Sequence, residues 1–187
     1  PMLSPPATSD KRGGARLFFF AHQDDEFGVF HLIEESVVAG FDVLCIYCTT
    51  GVPEGKSPSL RERESLDVLQ ALGVNATHVL FAGTTLGIAD QQLIHKAATL
   101  VTWMMNFLQT QDVDSVYIPA WEGGHPDHDL LHAAVVTGMR QVNSTAPMWQ
   151  FPLYNGWRRQ WGFFRLFAPL PNNGPVKQEQ ISLSRRR

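Results

Sequence analysis

Arg16-Leu17-Phe18-Phe19-Phe20-Ala21-His22-Gln23-Asp24-Asp25-Glu26 is the stretch that decides the fold. From Leu17 to Ala21 no polar residue interrupts the run, so neither face of this segment is suited to water. That is the pattern of a strand covered on both sides, as in a parallel sheet. A histidine and three carboxylates follow at once. Three adjacent acidic side chains repel one another, and a strand-to-helix turn alone does not call for them; Asp25 or Glu26 would suffice as a helix N-terminal charge. The stretch reads as a buried strand that delivers a polar cluster to one end of a sheet.

Outward from it, short apolar runs alternate with longer helical stretches, the alternation of an α/β fold. Glu26 to Ala39 places Phe30, Ile33, Val37 and Val38 at helical spacing and stops at Gly40. Asp42 to Cys48 reads as the second strand. Ser59-x-x-Glu62 is a capping box opening a helix with Leu66, Leu69 and Leu72 on one face and Gly73 as its stop. A third strand is expected at His78 to Ala82, a helix at Gln91 to Gln109, a fourth strand at Ser115 to Pro119 and a helix at Asp127 to Val142. Trp149 to Leu153 is a candidate fifth strand. The expectation is a Rossmann-like, mostly parallel sheet with helices on both faces and ligands bound at the carboxyl ends of the strands.

Composition narrows the function classes. The chain has 187 residues, 44% of them hydrophobic, and a net charge of -3. That is enough for one core, so residues 1–15 are read as a flexible segment and 16–187 as one domain. The dense basic run Arg185-Arg186-Arg187 is terminal, and no broad phosphate-binding face is evident, so nucleic acid is not an expected partner. No apolar run reaches membrane-spanning length, and the protein is read as soluble and cytoplasmic. The oligomeric state is not legible. Cys45 and Cys48 form Cys-x-x-Cys, yet residues three apart in a strand point to opposite faces, so both are read as small buried hydrophobes.

The chemistry lies in two loops. His22 to Glu26 leaves the first strand and His125-Pro126-Asp127-His128 leaves the fourth, so both reach the same rim. A catalytic zinc takes three ligands from His, Asp or Glu and keeps a position for water. His22, Asp25 and His128 offer that set. Asp24 is adjacent and can point away from the metal as a general base. His125 is available to stabilise an oxyanion or protonate a leaving amine, with Asp127 to orient its ring or to cap the helix.

Ala21-His22-Gln23-Asp24-Asp25-Glu26 resembles the Ala-His-Pro-Asp-Asp-Glu signature of the PIG-L/LmbE family of metal-dependent de-N-acetylases, and His125-Pro126-Asp127-His128 matches its second signature. The resemblance extends to Thr49-Thr50-Gly51, Arg61-x-x-Glu64, Leu72-Gly73-Val74 and Leu86-Gly87-Ile88-Ala89-Asp90, covering roughly residues 16 to 140 in order. It implies that His22, Asp25 and His128 bind zinc, that Asp24 is the base, that His125 is the electrophilic or acid group, and that Arg61 and Asp90 contact a sugar. The implied reaction removes acetyl from an N-acetylglucosamine conjugate. Gln23 departs from the family's Pro and restores an N–H. Family members are commonly longer, which leaves room for a missing C-terminal portion.

Rival readings stand beside this one. The site suits a deacylase of an acylated antibiotic or other amine, a non-catalytic sugar-binding member, or an Fe2+ protein, since two histidines and a carboxylate also form a facial triad. His132 lies four residues after His128 but is read as structural, as are His31, His78 and His95. The Trp157 to Phe167 aromatic and arginine mixture is read as packing rather than as a stacking platform.

Overall fold

The computed structural model describes residues 13–156, 165–171 and 177. Five parallel strands form the main sheet: β1 (Ala15–Phe20), β2 (Asp42–Tyr47), β3 (Val79–Phe81), β4 (Val113–Pro119) and β5 (Met148–Phe151), in the order β3-β2-β1-β4-β5. The order reverses between β1 and β4, which is where a ligand crevice opens in sheets of this kind. Both site loops leave these two strands.

Helices cover both faces, and β1 shows how. Phe18 and Phe20 pack with Ile33, Cys45, Tyr47 and Leu69, under α1 (Phe30–Val38) and α2 (Ser59–Ala71). Leu17, Phe19 and Ala21 pack into the opposite core with Leu100, Met104, Leu131 and Val135, under α4 (Leu93–Gln109) and α5 (Pro126–Gln141). Alternate residues of one strand therefore fill two cores, which is why the run carries no polar position. Cys45 and Cys48 are both buried and unpaired and fall in these two separate cores, as their spacing in a strand requires.

Several boundaries differ from expectation for identifiable reasons. The helix expected from Glu26 begins only at Phe30, because Asp25–Val29 is wound as a tighter 3-10 turn while Asp25 and Glu26 point inward. The Ser59 capping box does not form: Pro58 is the cap residue, Ser59 Oγ pairs with Ser57 Oγ, and Glu62 accepts from Thr84 Oγ1 instead of reaching back. An extra short helix, α3 (Ala82–Leu86), follows β3. Gly40 and Gly73 follow their helices at φ of +85° and +89°, as expected of those stops. Beyond β5 the chain forms an antiparallel pair, β6 (Tyr154–Asn155) with β7 (Arg165–Leu166). Most of the aromatic and arginine mixture from Trp157 lies outside the described residues. Among the described residues no helix is long and apolar enough to cross a membrane.

Candidate active site

The first loop folds back on itself through Asp25. Its Oδ2 accepts hydrogen bonds from the backbone N–H groups of Ala21 (2.9 Å) and His22 (2.8 Å), which seats a carboxylate directly over the end of β1. Its Oδ1 lies 3.1 Å from His128 Nε2. Thr49, two residues past β2, closes the loop from the side by donating Oγ1 to Ala21 O at 2.6 Å. The turn places Asp24 at φ +109°, in the left-handed half of the map, with its side chain 77% exposed at the mouth of the site.

The second loop brings in α5. His125 is its N-cap, and the ring Nδ1 accepts from the Asp127 backbone N–H at 3.2 Å. With Nδ1 acting as acceptor, the neutral ring carries its proton on Nε2. His22, His125 and His128 form a triangle with ring centroids 4.7, 5.2 and 5.1 Å apart. One ligand nitrogen from each lies within 4.8 Å of the others. A second group shares His22: its Nε2 faces Asp127 Oδ2 at 3.2 Å and Asp90 Oδ1 at 3.1 Å. Nδ1 of the same ring faces Asp25 at 3.8 Å.

Asp127 was expected to orient His125, but its carboxylate is spent elsewhere. Only 1% exposed, it accepts from His22 Nε2 and from the backbone N–H groups of Gln91 (2.7 Å) and Leu93 (3.4 Å) ahead of α4. The amide of Asp127, not its carboxylate, is what touches the His125 ring. Arg61 likewise faces the loops: it donates to Gly51 O (2.5 Å), to Gln23 O and to Asp24 Oδ2 (3.0 Å). Asp90 stands beside His22. His132 donates to Pro119 O at 3.0 Å, a structural bond away from the triangle.

The electrostatics follow from this packing. Burial opposes charge on His22, but the hydrogen bond to Asp127 and the charges of Asp25, Asp127 and Asp90 prevail and raise its pKa. Burial likewise opposes charge on Asp25, yet the hydrogen bond and charge of His128, with His22, hold its carboxyl below the ordinary range. Asp127 is held low in the same way by His22 and the Gln91 N–H. His125 is pushed down, by burial first and then by its two imidazole neighbours.

Glu122 and Tyr154 also belong to the site, though no motif marks them in the sequence. Buried Glu122 accepts from the backbone N–H groups of Leu153 (2.8 Å) and Tyr154 (3.0 Å) and from Asn155 Nδ2 (3.1 Å). That fixes the segment carrying Tyr154, whose ring meets His128 edge-on at 5.3 Å. Burial, and the nearby carboxylates of Asp25, Asp24 and Asp90, push the Tyr154 hydroxyl up to about 12. The only signal for it was proximity to the end of a fifth strand.

The sequence profile of the PIG-L family, described as GlcNAc-PI de-N-acetylase, matches residues 17–139, which hold both loops. The chain belongs to the PIG-L family. No curated protein matches it. Among solved structures, a deacetylase triple mutant from the teicoplanin biosynthetic pathway has a TM-score of 0.60 at 18% identity, over 75% of this chain and 64% of its own. The zinc-inhibited form of a teicoplanin deacetylase has a TM-score of 0.61 at 15% identity, over 74% and 67%. N,N'-diacetylchitobiose deacetylase from Pyrococcus horikoshii has 0.57 at 18% identity, over 76% and 60%. At such identities the likeness is one of fold, and this PIG-L chain spans less than two thirds of the first and last of these structures.

Proposed function

We propose that this PIG-L family member is a zinc-dependent hydrolase that removes the acetyl group from an N-acetylglucosamine-type conjugate. The observation that carries the reading is the gathering, at the β1/β4 crevice, of the His22, His125 and His128 imidazoles, with Asp25 against His22 and His128; of these we take His22, Asp25 and His128 as the metal set. The donor chemistry fits a metal: two imidazoles and one carboxylate, all buried, is a three-ligand set that leaves room for reactants. His22, Asp25 and His128 would hold the ion. When bound, zinc supplies Lewis-acid polarisation of the acetyl carbonyl and lowers the pKa of water.

The side chains divide the remaining work. Asp24, exposed at the mouth, takes the proton of the attacking water as the new C–O bond forms. His125 offers its Nε2–H to the carbonyl oxygen as negative charge develops there; a ring whose pKa is depressed suits a hydrogen-bond donor more than a store of protons. The C–N bond then breaks, and the nitrogen leaves with the proton that Asp24 removed from water. Acetate and the free amine are the products. Asp127 and Asp90 hold His22 through its other nitrogen, and Asp90 is also suited by position to contact a sugar.

The neighbours support the acyl-transfer chemistry and also a second substrate class. Two are deacetylases of the teicoplanin pathway, which favours an acylated antibiotic or amine as the alternative, and one acts on diacetylchitobiose. Acetate release across N-acetylglucosamine conjugates and acylated amines, with the metal-stripped protein reconstituted in turn with zinc and iron, decides among these. Turnover of the sugar conjugates with zinc is expected. Turnover of acylated amines alone, or with iron alone, would replace this reading.

A further inference from the structure

Asp24 sits at φ +109° and ψ -19°, a backbone state that an L-residue keeps only where its surroundings over-determine it. Two residues of α2 supply that determination. Arg61 and Ser65 are four apart and so share one face of the helix. Ser65, 3% exposed, donates Oγ to Glu26 Oε1 at 2.8 Å, and Glu26 Oε2 in turn accepts the Asp24 backbone N–H at 2.8 Å. Arg61 takes the other side of the turn, donating to Gln23 O, to the Asp24 carboxylate and to Gly51 O in the loop after β2. Gly51 is fitted to this arrangement by its φ of +63°, which L side chains rarely adopt.

We propose that Arg61 is a positioning residue which, with Ser65 one turn further along α2, holds the Asp24 turn in its strained state and aims the Asp24 carboxylate. The inference rests on the reading of Asp24 as the base. The ion pair alone does not explain the arrangement, because its partners are 33% and 77% exposed and such pairs contribute little. What the guanidinium adds is geometry: its planar fork spans two backbone carbonyls and one carboxylate, which a lysine ammonium cannot do. Both terminal nitrogens are thereby engaged within the protein.

Two measurements on the zinc-loaded full chain test it. With an N-acetylglucosamine conjugate, Arg61→Ala lowers kcat on the order of 10²-fold, the scale of a small misplacement of a catalytic group, while KM and zinc content hold. Guanidinium ion added to that variant recovers part of kcat, and Arg61→Lys recovers little. A raised KM at unchanged kcat marks a substrate contact and overturns the proposal. Independently of turnover, Arg61→Ala and Ser65→Ala each speed hydrogen exchange of the Asp24 amide by about tenfold or more, with β1 amides unchanged. Unchanged exchange at Asp24 also overturns it. A chain that releases no acetate but shows the faster exchange keeps the clamp and loses the deacetylase reading.

Discussion

His22 Nε2 lies 3.2 Å from Asp127 Oδ2, so the nitrogen turned away from Asp25 is held by a carboxylate that is itself tied to the amides ahead of α4. A metal-binding histidine held in this way keeps one tautomer and one ring orientation and gains basicity. Asp127→Asn preserves the shape of the contact and removes its charge. Metal affinity is expected to fall about 10- to 100-fold, measured by competition with a chromophoric chelator. Unchanged affinity would show that Asp127 does not act through His22.

Stability without metal depends on pH through the buried groups of the two loops. Asp25 and Asp127 have lowered pKa values in the folded state, so their contribution is present above about pH 4 and lost as pH falls through the folded values. His22 has a raised value, so its contribution is complete below about pH 6.5 and lost as pH rises through the folded value. The summed contribution of these three groups is therefore greatest in the mildly acidic window between them, while lowered His125 and raised Asp24 and Glu26 act in the opposite sense. Zinc needs the imidazoles neutral, so its stabilisation grows over the range where the metal-free protein weakens. Tm of stripped and zinc-loaded protein against pH checks this; parallel curves would contradict it.

Glu122 accepts three hydrogen bonds from the segment that carries Tyr154. Glu122→Gln leaves one acceptor oxygen where there were two and places an amide N–H₂ against backbone donors. A loss of about 1–3 kcal/mol is expected in urea unfolding, the scale for a buried donor left unsatisfied. Stability equal to the parent protein would show that other groups can take over these donors.

Gln23 is 2% exposed, and among the described residues neither its Oε1 nor its Nε2 has a hydrogen-bond partner. Gln23→Met keeps the length of the side chain and removes the orphaned amide. A gain of about 1 kcal/mol is expected, read as a higher urea midpoint at unchanged slope. A midpoint that falls would show the amide to be satisfied in solution.

The sheet was legible because its strands are buried on both faces: Leu17 to Ala21 admits no amphipathic alternative, and β2 and β4 follow the same logic. The meeting of the two motifs was legible because His22, Asp25 and His128 occupy loops that adjacent strands must bring together. What escaped was decided by tertiary partners. Whether Asp127 turned to His125 or to His22 depended on where the chain ahead of α4 presents its amides, and no spacing encodes that. The left-handed Asp24 delayed α1 by one tight turn, although Glu26 onward already had helical periodicity. Arg61 looked free to meet a substrate because its three oxygen partners come from Gly51, Gln23 and Asp24, none of them near it in sequence.

The most direct test of the central claim is acetate release from an N-acetylglucosamine conjugate by the parent chain and by Asp24→Asn, each shown by metal analysis to hold one zinc per chain. Matched yields of acetate and free amine are expected from the parent, and a loss of at least about 10²-fold in the variant with zinc retained. Full turnover by zinc-loaded Asp24→Asn, or none by the zinc-loaded parent across such conjugates, would contradict that claim.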